Sequence, residues 1–403
     1  MARNRVRASW LLAHVPFVIV LALVAPVIWP EDGVGDTFRF WFAGHIAATG
    51  GSPYDQNAWA SAGATYGSLA ENVSSTCTPS PFEPACLWAY PPTTALMFAP
   101  FGLLNVRDGL NALALFTFLT AAASVIAVGQ WMRARAPATR MLALCACVVS
   151  HPFVFDVSAG HWEGLGVIGI VLLAVGLTER RVAAVVGGAL LLSLKPHLYA
   201  GLGVIVLLLL VARRDWRTLG WALGVVGGAS GLALLRYPEA LGAILGRAGQ
   251  VTGLGWATTS AFASSILPSA VVGVIIVYAI AAAAFALAVR SVPEERRQDV
   301  AIAGGAAVAL TVSPYVHPYD LLVLFPVFAI ALALNDLVGQ PTRTIMLATT
   351  AGTMAVGTWL AIIGARIVPA LPGVLPVVTL VLLAGAALAA RARKSPQARS
   401  QET

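Results

Sequence analysis

The stretch WLLAHVPFVIVLALVAPVIW, residues 10–29, decides the class of fold. Its 20 residues include no Asp, Glu, Lys or Arg, and the basic residues Arg3, Arg5 and Arg7 precede it. An α-helix rises about 1.5 Å per residue, so the run spans a hydrocarbon core of roughly 30 Å. It is too long for the apolar core of a signal peptide, and no small-x-small cleavage pattern follows. It therefore reads as a retained anchor.

Working outward, similar apolar segments recur near 109–131, 141–157, 162–178, 182–194, 196–212, 218–235, 268–289, 299–313, 318–336, 344–363 and 371–389. The 403 residues are 58% hydrophobic and 11% charged, with a mean hydropathy of +0.82. That is too apolar for a soluble domain. The net charge of +7 does not point to nucleic acid, because basic clusters beside apolar spans set topology. Lys occurs only at 195 and 394, and Arg, Ala and Gly abound, which points to a GC-rich bacterial genome and hence to the bacterial plasma membrane.

The run 90–104, YPPTTALMFAPFGLL, is short and holds three prolines, as a re-entrant or interfacial helix would. Charge counting decides how it is read. If it does not cross, Arg39, Arg107, Lys195, Arg236, Arg247 and Arg366 lie outside and the other 19 of the 25 basic residues lie inside. If it crosses, the split becomes 8 inside against 17 outside. The positive-inside rule favours the first arrangement. The expectation is an all-α polytopic membrane protein with about twelve spans and short interfacial helices in its first outer loop. One transmembrane domain covers 10–390, with outer loops at 30–92 and 236–267, between cytoplasmic tails at 1–9 and 391–403. The chain shows no internal repeat.

The chemically rich residues gather on the outer face of that arrangement. Residues 37–49 suit a short amphipathic helix ended by Gly50 and Gly51, and Pro53 and Tyr54 lead into a second. Asp36 stands where a helix cap would; it is either that cap or a general base above the membrane surface. Lys195, in KPH, is costly at its depth without an anionic partner. With His197 beside it, it makes a seat for a lipid phosphate, the bland alternative being snorkelling to the interface. YVHPYD (315–320) brings His317, Tyr319 and Asp320 together around Pro318, and GHWEG (160–164) puts His161 and Glu163 at the mouth of a span. The alternative for each His is an interfacial anchor, and for His161 the two readings weigh evenly. Cys77 and Cys86 in the first loop suit a disulfide if that loop faces an oxidising compartment. There is no metal-ligand spacing and no nucleotide-binding fingerprint. An enzyme working on the outer face would thus need a membrane-borne activated donor.

Taken together these residues resemble glycosyltransferase family 87 of the GT-C superfamily. The pattern is an Asp early in the first outer loop (Asp36), then G-x-P-Y (Gly51–Tyr54), YPP (90–92), APFGLL (99–104), a small polar cluster (GHWEG), LKP (194–196) and a late YVHPYD. The resemblance implies a GT-C-type helix bundle and an inverting transferase. Its donor is a polyprenyl-phosphate sugar, it needs no metal or other cofactor, and Asp36 matches the base. It implies α-mannosyl or α-arabinofuranosyl transfer to an envelope glycolipid or glycan acceptor, with mannosyl preferred. In a single displacement Asp36 takes the acceptor proton. Lys195, His197 and Arg39 offset the charge on the leaving phosphate. His317, Asp320, Tyr319, His161, Glu163 and Tyr90 position the substrates, and the lipid tail runs near 90–104. GHWEG departs from the Gly-Gln/Asn-Asn of many relatives, so His161 and Glu163 bear on specificity. A lipid or sugar transporter is the rival reading, but such folds carry repeats and midplane sites.

Overall fold

In a computed structural model the chain folds as a helix bundle. The structure describes residues 19–20, 23, 36–67, 88, 90–133, 135–248, 258–266, 270–335, 337–339, 342–368 and 370–399. Most of the 10–29 anchor lies outside the described residues, as do Cys77 and Cys86.

The helices run in chain order as α1 (Asp36–Ala48), α2 (Gln56–Tyr66), α3 (Pro92–Gly102), α4 (Val106–Trp131), α5 (Pro137–Val148), α6 (His151–Ser158), α7 (Glu163–Thr178), α8 (Val182–Leu192), α9 (Pro196–Ala212) and α10 (Trp216–Arg236). They continue as α11 (Ala240–Ala248), α12 (Thr259–Ile266), α13 (Ala270–Ser291) and α14 (Glu294–Val312). A 3-10 turn, Pro318–Leu324, runs directly into α15 (Phe325–Asn335). Then come α16 (Thr342–Gly352), a π-turn at Thr353–Gly357, α17 (Thr358–Gly364) and α18 (Leu375–Arg399). Proline opens α3, α5, α6 and α9, where its missing N–H costs nothing. Side-chain caps open α4, from Asn105 to the Asp108 N–H, and α10, from Asp215 to the Thr218 N–H.

Among the described residues six helical runs are long and apolar enough to cross a membrane: α4, α10, α13 (from Val271), Pro318–Asn335, Thr342–Gly364 and Leu371–Ala392. The pair α5–α6, bent by 48°, makes a seventh if it counts as one span. The difference from about twelve expected spans has physical reasons. Helices α7, α8 and α9 are apolar but only 16, 11 and 17 residues long. The first turns of α14 carry Glu294, Glu295, Arg296 and Arg297. The first expected span, 10–29, lies mostly outside the described residues.

The first-loop helices form within a residue or two of where the pattern put them. Gly50, at φ +88°, ends α1, and the Gly51 N–H closes onto the Ile46 carbonyl at 2.9 Å. Helix α3 falls in the ambiguous run 90–104. At 11 residues it is about 16 Å long, half of what a crossing needs. It lies backbone-to-backbone along α1. A Cβ on Gly44 would come 2.3 Å from the Phe98 carbonyl oxygen, and one on Gly102 would come 2.1 Å from the His45 nitrogen. A second core, dense in aromatics, surrounds this pair. Phe40 stacks on Phe98 at 5.0 Å, and Trp41, Trp59, Trp88 and Trp162 are all buried around them. Such contacts contribute about 0.5–1.5 kcal/mol per pair beyond area burial. They fix α1, and with it Asp36, over the ends of α7, α8 and α9.

Candidate active site

Five chain segments converge at that end of the bundle: the N-terminus of α1, the turn before α7, the first turn of α7, the α8–α9 turn and the 3-10 turn Pro318–Leu324. Their polar side chains form two linked groups, one buried and one open.

The buried group is centred on Lys195, which is 1% exposed. Its Nζ donates to Glu163 Oε1 and, at 3.2 Å, to Asp320 Oδ1. The Tyr199 hydroxyl donates to Glu163 Oε2 at 3.1 Å. Three rings wall the ammonium: Trp162 at 4.8 Å, Tyr319 at 5.2 Å and Tyr90 at 5.5 Å. Each ring presents a negative face to the cation. Asp320 is itself held by a capping box in which its Oδ2 accepts the His317 N–H at 2.7 Å. Glu163 opens α7, where the helix dipole favours a carboxylate. The cap on that helix comes from the preceding one: Asp156 Oδ1 accepts the Glu163 N–H at 3.0 Å.

From sequence alone the anionic partner of Lys195 is expected to be a bound phosphate. The structure supplies it from the chain. Two carboxylates already match the ammonium, and nothing of its side chain is open to an incoming ligand. Snorkelling does not describe it either, since the charge is enclosed.

The open group is centred on Asp36, whose side chain is 28% exposed. Its Oδ2 lies 2.6 Å from His161 Nε2, and its Oδ1 lies 3.4 Å from the Arg39 guanidinium one turn along α1. Arg39 is 29% exposed. His161 is fully buried, packs face to face on Tyr319 with ring centroids 3.4 Å apart, and receives the edge of Phe40 at 5.1 Å. Gly160 makes this possible. Its φ of +71° swings the chain beneath α1, and a Cβ there would come 1.9 Å from Thr37 Oγ1. Tyr315 contacts His317 through its hydroxyl and His197 through its ring, at 5.9 Å. His197, Tyr315, His317 and Tyr90 are half-buried.

Burial drives the His161 imidazole down to about 4, against the pull of Asp36. The ring is therefore neutral at pH 7, and its Nε2–H donates to Asp36. Burial alone would raise the Asp36 carboxyl, but His161 and Arg39 outweigh it and hold the carboxyl below the ordinary range. Asp36 is thus an acceptor ionised at neutral pH, partly open and fixed in direction by two donors.

The structure thus brings together Asp36, Arg39, Tyr90, His161, Glu163, Lys195, His197, His317, Tyr319 and Asp320. Asp36 is the first residue of α1 rather than a residue before it. Sequence reasoning did not assign roles to Asp156, Trp162 or Tyr199. Tyr199 had a signal, one helical turn after Lys195. Asp156 had only its place just ahead of GHWEG. The disulfide expectation at Cys77 and Cys86 lies outside the described residues.

The family model for glycosyltransferase family 87 matches residues 88–314, more than half of the chain. The chain belongs to glycosyltransferase family 87. No curated protein and no solved structure matches it. As a family 87 glycosyltransferase with a multi-pass helical body, it acts on a sugar donor and an acceptor. The match includes His161, Glu163 and Lys195; Asp36 lies before it and Asp320 just after it.

Proposed function

We propose that this family 87 protein transfers a mannosyl residue from a polyprenyl-phosphate sugar to an envelope glycolipid or glycan on the outer face of the bacterial plasma membrane, with inversion at the anomeric carbon. The observation that carries the reading is the state of Asp36: ionised, part-exposed and aimed by His161 and Arg39. Asp36 accepts the proton of the acceptor hydroxyl as that oxygen bonds to the anomeric carbon. The bond from that carbon to the phosphate oxygen breaks on the opposite face, and polyprenyl phosphate leaves with one more negative charge. A carboxylate held below its ordinary pKa is a weak base, so the proton moves late, once the hydroxyl has become acidic by bonding to carbon.

Arg39, and His197 behind Tyr315, offset the charge on the leaving phosphate. Lys195 acts at one remove. Paired with Glu163 and Asp320, it braces the Tyr319 and Trp162 rings beneath His161, and Tyr90 joins that wall. His317 and Tyr315 border the opening and position the sugar. The donor chain leaves the site between helices near α3.

The test is an assay of purified protein with synthetic polyprenyl-phosphate mannose, and in parallel with polyprenyl-phosphate arabinofuranose. Products are read by mass spectrometry and anomeric configuration by NMR. Transfer from the mannose donor with inversion is expected. Transfer from the arabinose donor alone replaces the sugar, and retention of configuration removes the single-displacement scheme.

A further inference from the structure

The end of the bundle away from Asp36 holds a second polar feature. A cavity of about 710 Å³ lies where α7 turns into α8 and α9 turns into α10, beside the start of α14. Arg180, Arg217, Glu294 and Glu295 line it, and among the described residues none of these four side chains makes an ion pair or hydrogen bond. Arg213 lines it too, but its guanidinium is committed to the Leu177 carbonyl and Gln298. Asp215 is spent on capping α10. Two guanidiniums and two carboxylates without a hydrogen bond or ion pair thus share one cavity, with the Arg180 charge also felt by the capping carboxylate Asp215. Arg180 stands at φ +54°, a left-handed position where glycine would cost less.

An apolar groove lies next to it along the same helices. A groove of about 390 Å³ between α8, α9 and α10 begins one turn further along the same helices: Ala189 follows Val185, Leu210 precedes Arg213, and Leu219 follows Thr218. Val204, Leu207 and Leu223 on its rim are exposed, so it opens sideways to the membrane. A polar cavity carrying both signs of charge, about one helical turn from a lateral apolar groove, has the shape and chemistry of a lipid site.

We propose that this site binds phosphatidylethanolamine from the leaflet on that side. The phosphate sits between Arg180 and Arg217, the ammonium faces Glu294 and Glu295, and an acyl chain lies in the groove. An anionic headgroup would leave the two carboxylates unmatched. The proposal is independent of the transfer reaction above.

The test uses the full chain, stripped of lipid in detergent and titrated by native mass spectrometry with phosphatidylethanolamine or phosphatidylglycerol of the same chains. Binding of phosphatidylethanolamine is expected to be roughly tenfold tighter. The Glu294→Gln/Glu295→Gln variant is expected to lose that preference, and Arg180→Gln/Arg217→Gln to bind both lipids more weakly. Wild-type protein irradiated with phosphatidylethanolamine carrying a diazirine on its acyl chain should be labelled on α8, α9 or α10 within residues 189–226. Equal affinity of the wild type for both lipids, or labelling confined to other helices, overturns the proposal. So does displacement of the probe by polyprenyl phosphate but not by phosphatidylethanolamine, which gives the groove to the donor chain.

Discussion

The imidazole of His161 and the carboxylate of Asp36 meet at 2.6 Å across 125 residues of chain. The imidazole is the donor and the carboxylate the acceptor, and the same carboxylate faces Arg39 on its other side. Each consequence of that geometry can be measured.

Removal of the His161 donor should raise the Asp36 pKa, because a hydrogen bond to the charged form is lost. Transfer by an ionised base fails as pH falls through its pKa. His161→Ala should therefore move the acid limb of the kcat/KM profile upward by on the order of one pH unit. His161→Gln, which keeps an N–H donor, should move it less. Acid limbs that coincide in wild type and His161→Ala would show that the imidazole does not act on Asp36.

Stability should also fall in mild acid. The unfolded chain protonates His161 near its ordinary 6.5, whereas the folded protein resists until about 4. Protons thus favour the unfolded state across that window, and stability drops as pH falls through it. Asp36 acts lower down: its depressed pKa adds stability above the ordinary carboxylate range, and that stability is lost only below it. Thermal unfolding in detergent should show a larger drop between about pH 7 and about pH 5 for wild type than for His161→Gln.

Lys195→Met should be severe. It leaves Glu163 and Asp320 buried without their cation, a change that costs about 3–5 kcal/mol. Neutralising the acids in the same chain, with Glu163→Gln and Asp320→Asn, should recover much of the thermal stability. Full stability of the single variant, measured as an unchanged Tm, would mean that the ammonium is not what holds the cluster.

Gly160→Ala tests the turn that carries His161. The new Cβ meets Thr37 Oγ1 at 1.9 Å, and the residue must still adopt φ +71°. A cost of about 1–3 kcal/mol is expected, with Asp36 displaced and kcat lowered more than KM is raised. Alanine at the exposed Gly203, where a Cβ meets nothing within 4 Å, is the matched control.

Much of this site was legible in the sequence because its residues are out of place in an apolar chain. Asp36, Lys195, His161, Glu163 and Asp320 stood out by their cost near the membrane. Their pairing did not, since Glu163 lies 32 residues from Lys195 and Asp320 lies 125. A lysine with no acid near it in sequence suggests a missing ligand, whereas the fold brings it two acids. The order of apolar segments gave the helices, and Gly50 and Gly51 gave the end of α1. The number of crossings was not fixed by pattern alone, because α7, α8 and α9 are apolar yet shorter than a bilayer core. The close approach of α1 and α3 at Gly44 and Gly102 carried no periodic signal, and it is visible only once both backbones are placed.

The most direct measurement is the transfer rate of Asp36→Asn with a polyprenyl-phosphate sugar donor. Asn keeps the size of the side chain, an oxygen for the His161 N–H, and the helix start, but it cannot take a proton as a base. With Asp36 as the base, kcat should fall by about 10²–10⁴-fold in protein that remains folded at the assay temperature and binds donor near wild type, with a Tm lowered by the lost carboxylate pairing. If Asp36→Asn transfers sugar at close to the wild-type rate, Asp36 has only a structural place in the first turn of α1 and the base lies elsewhere.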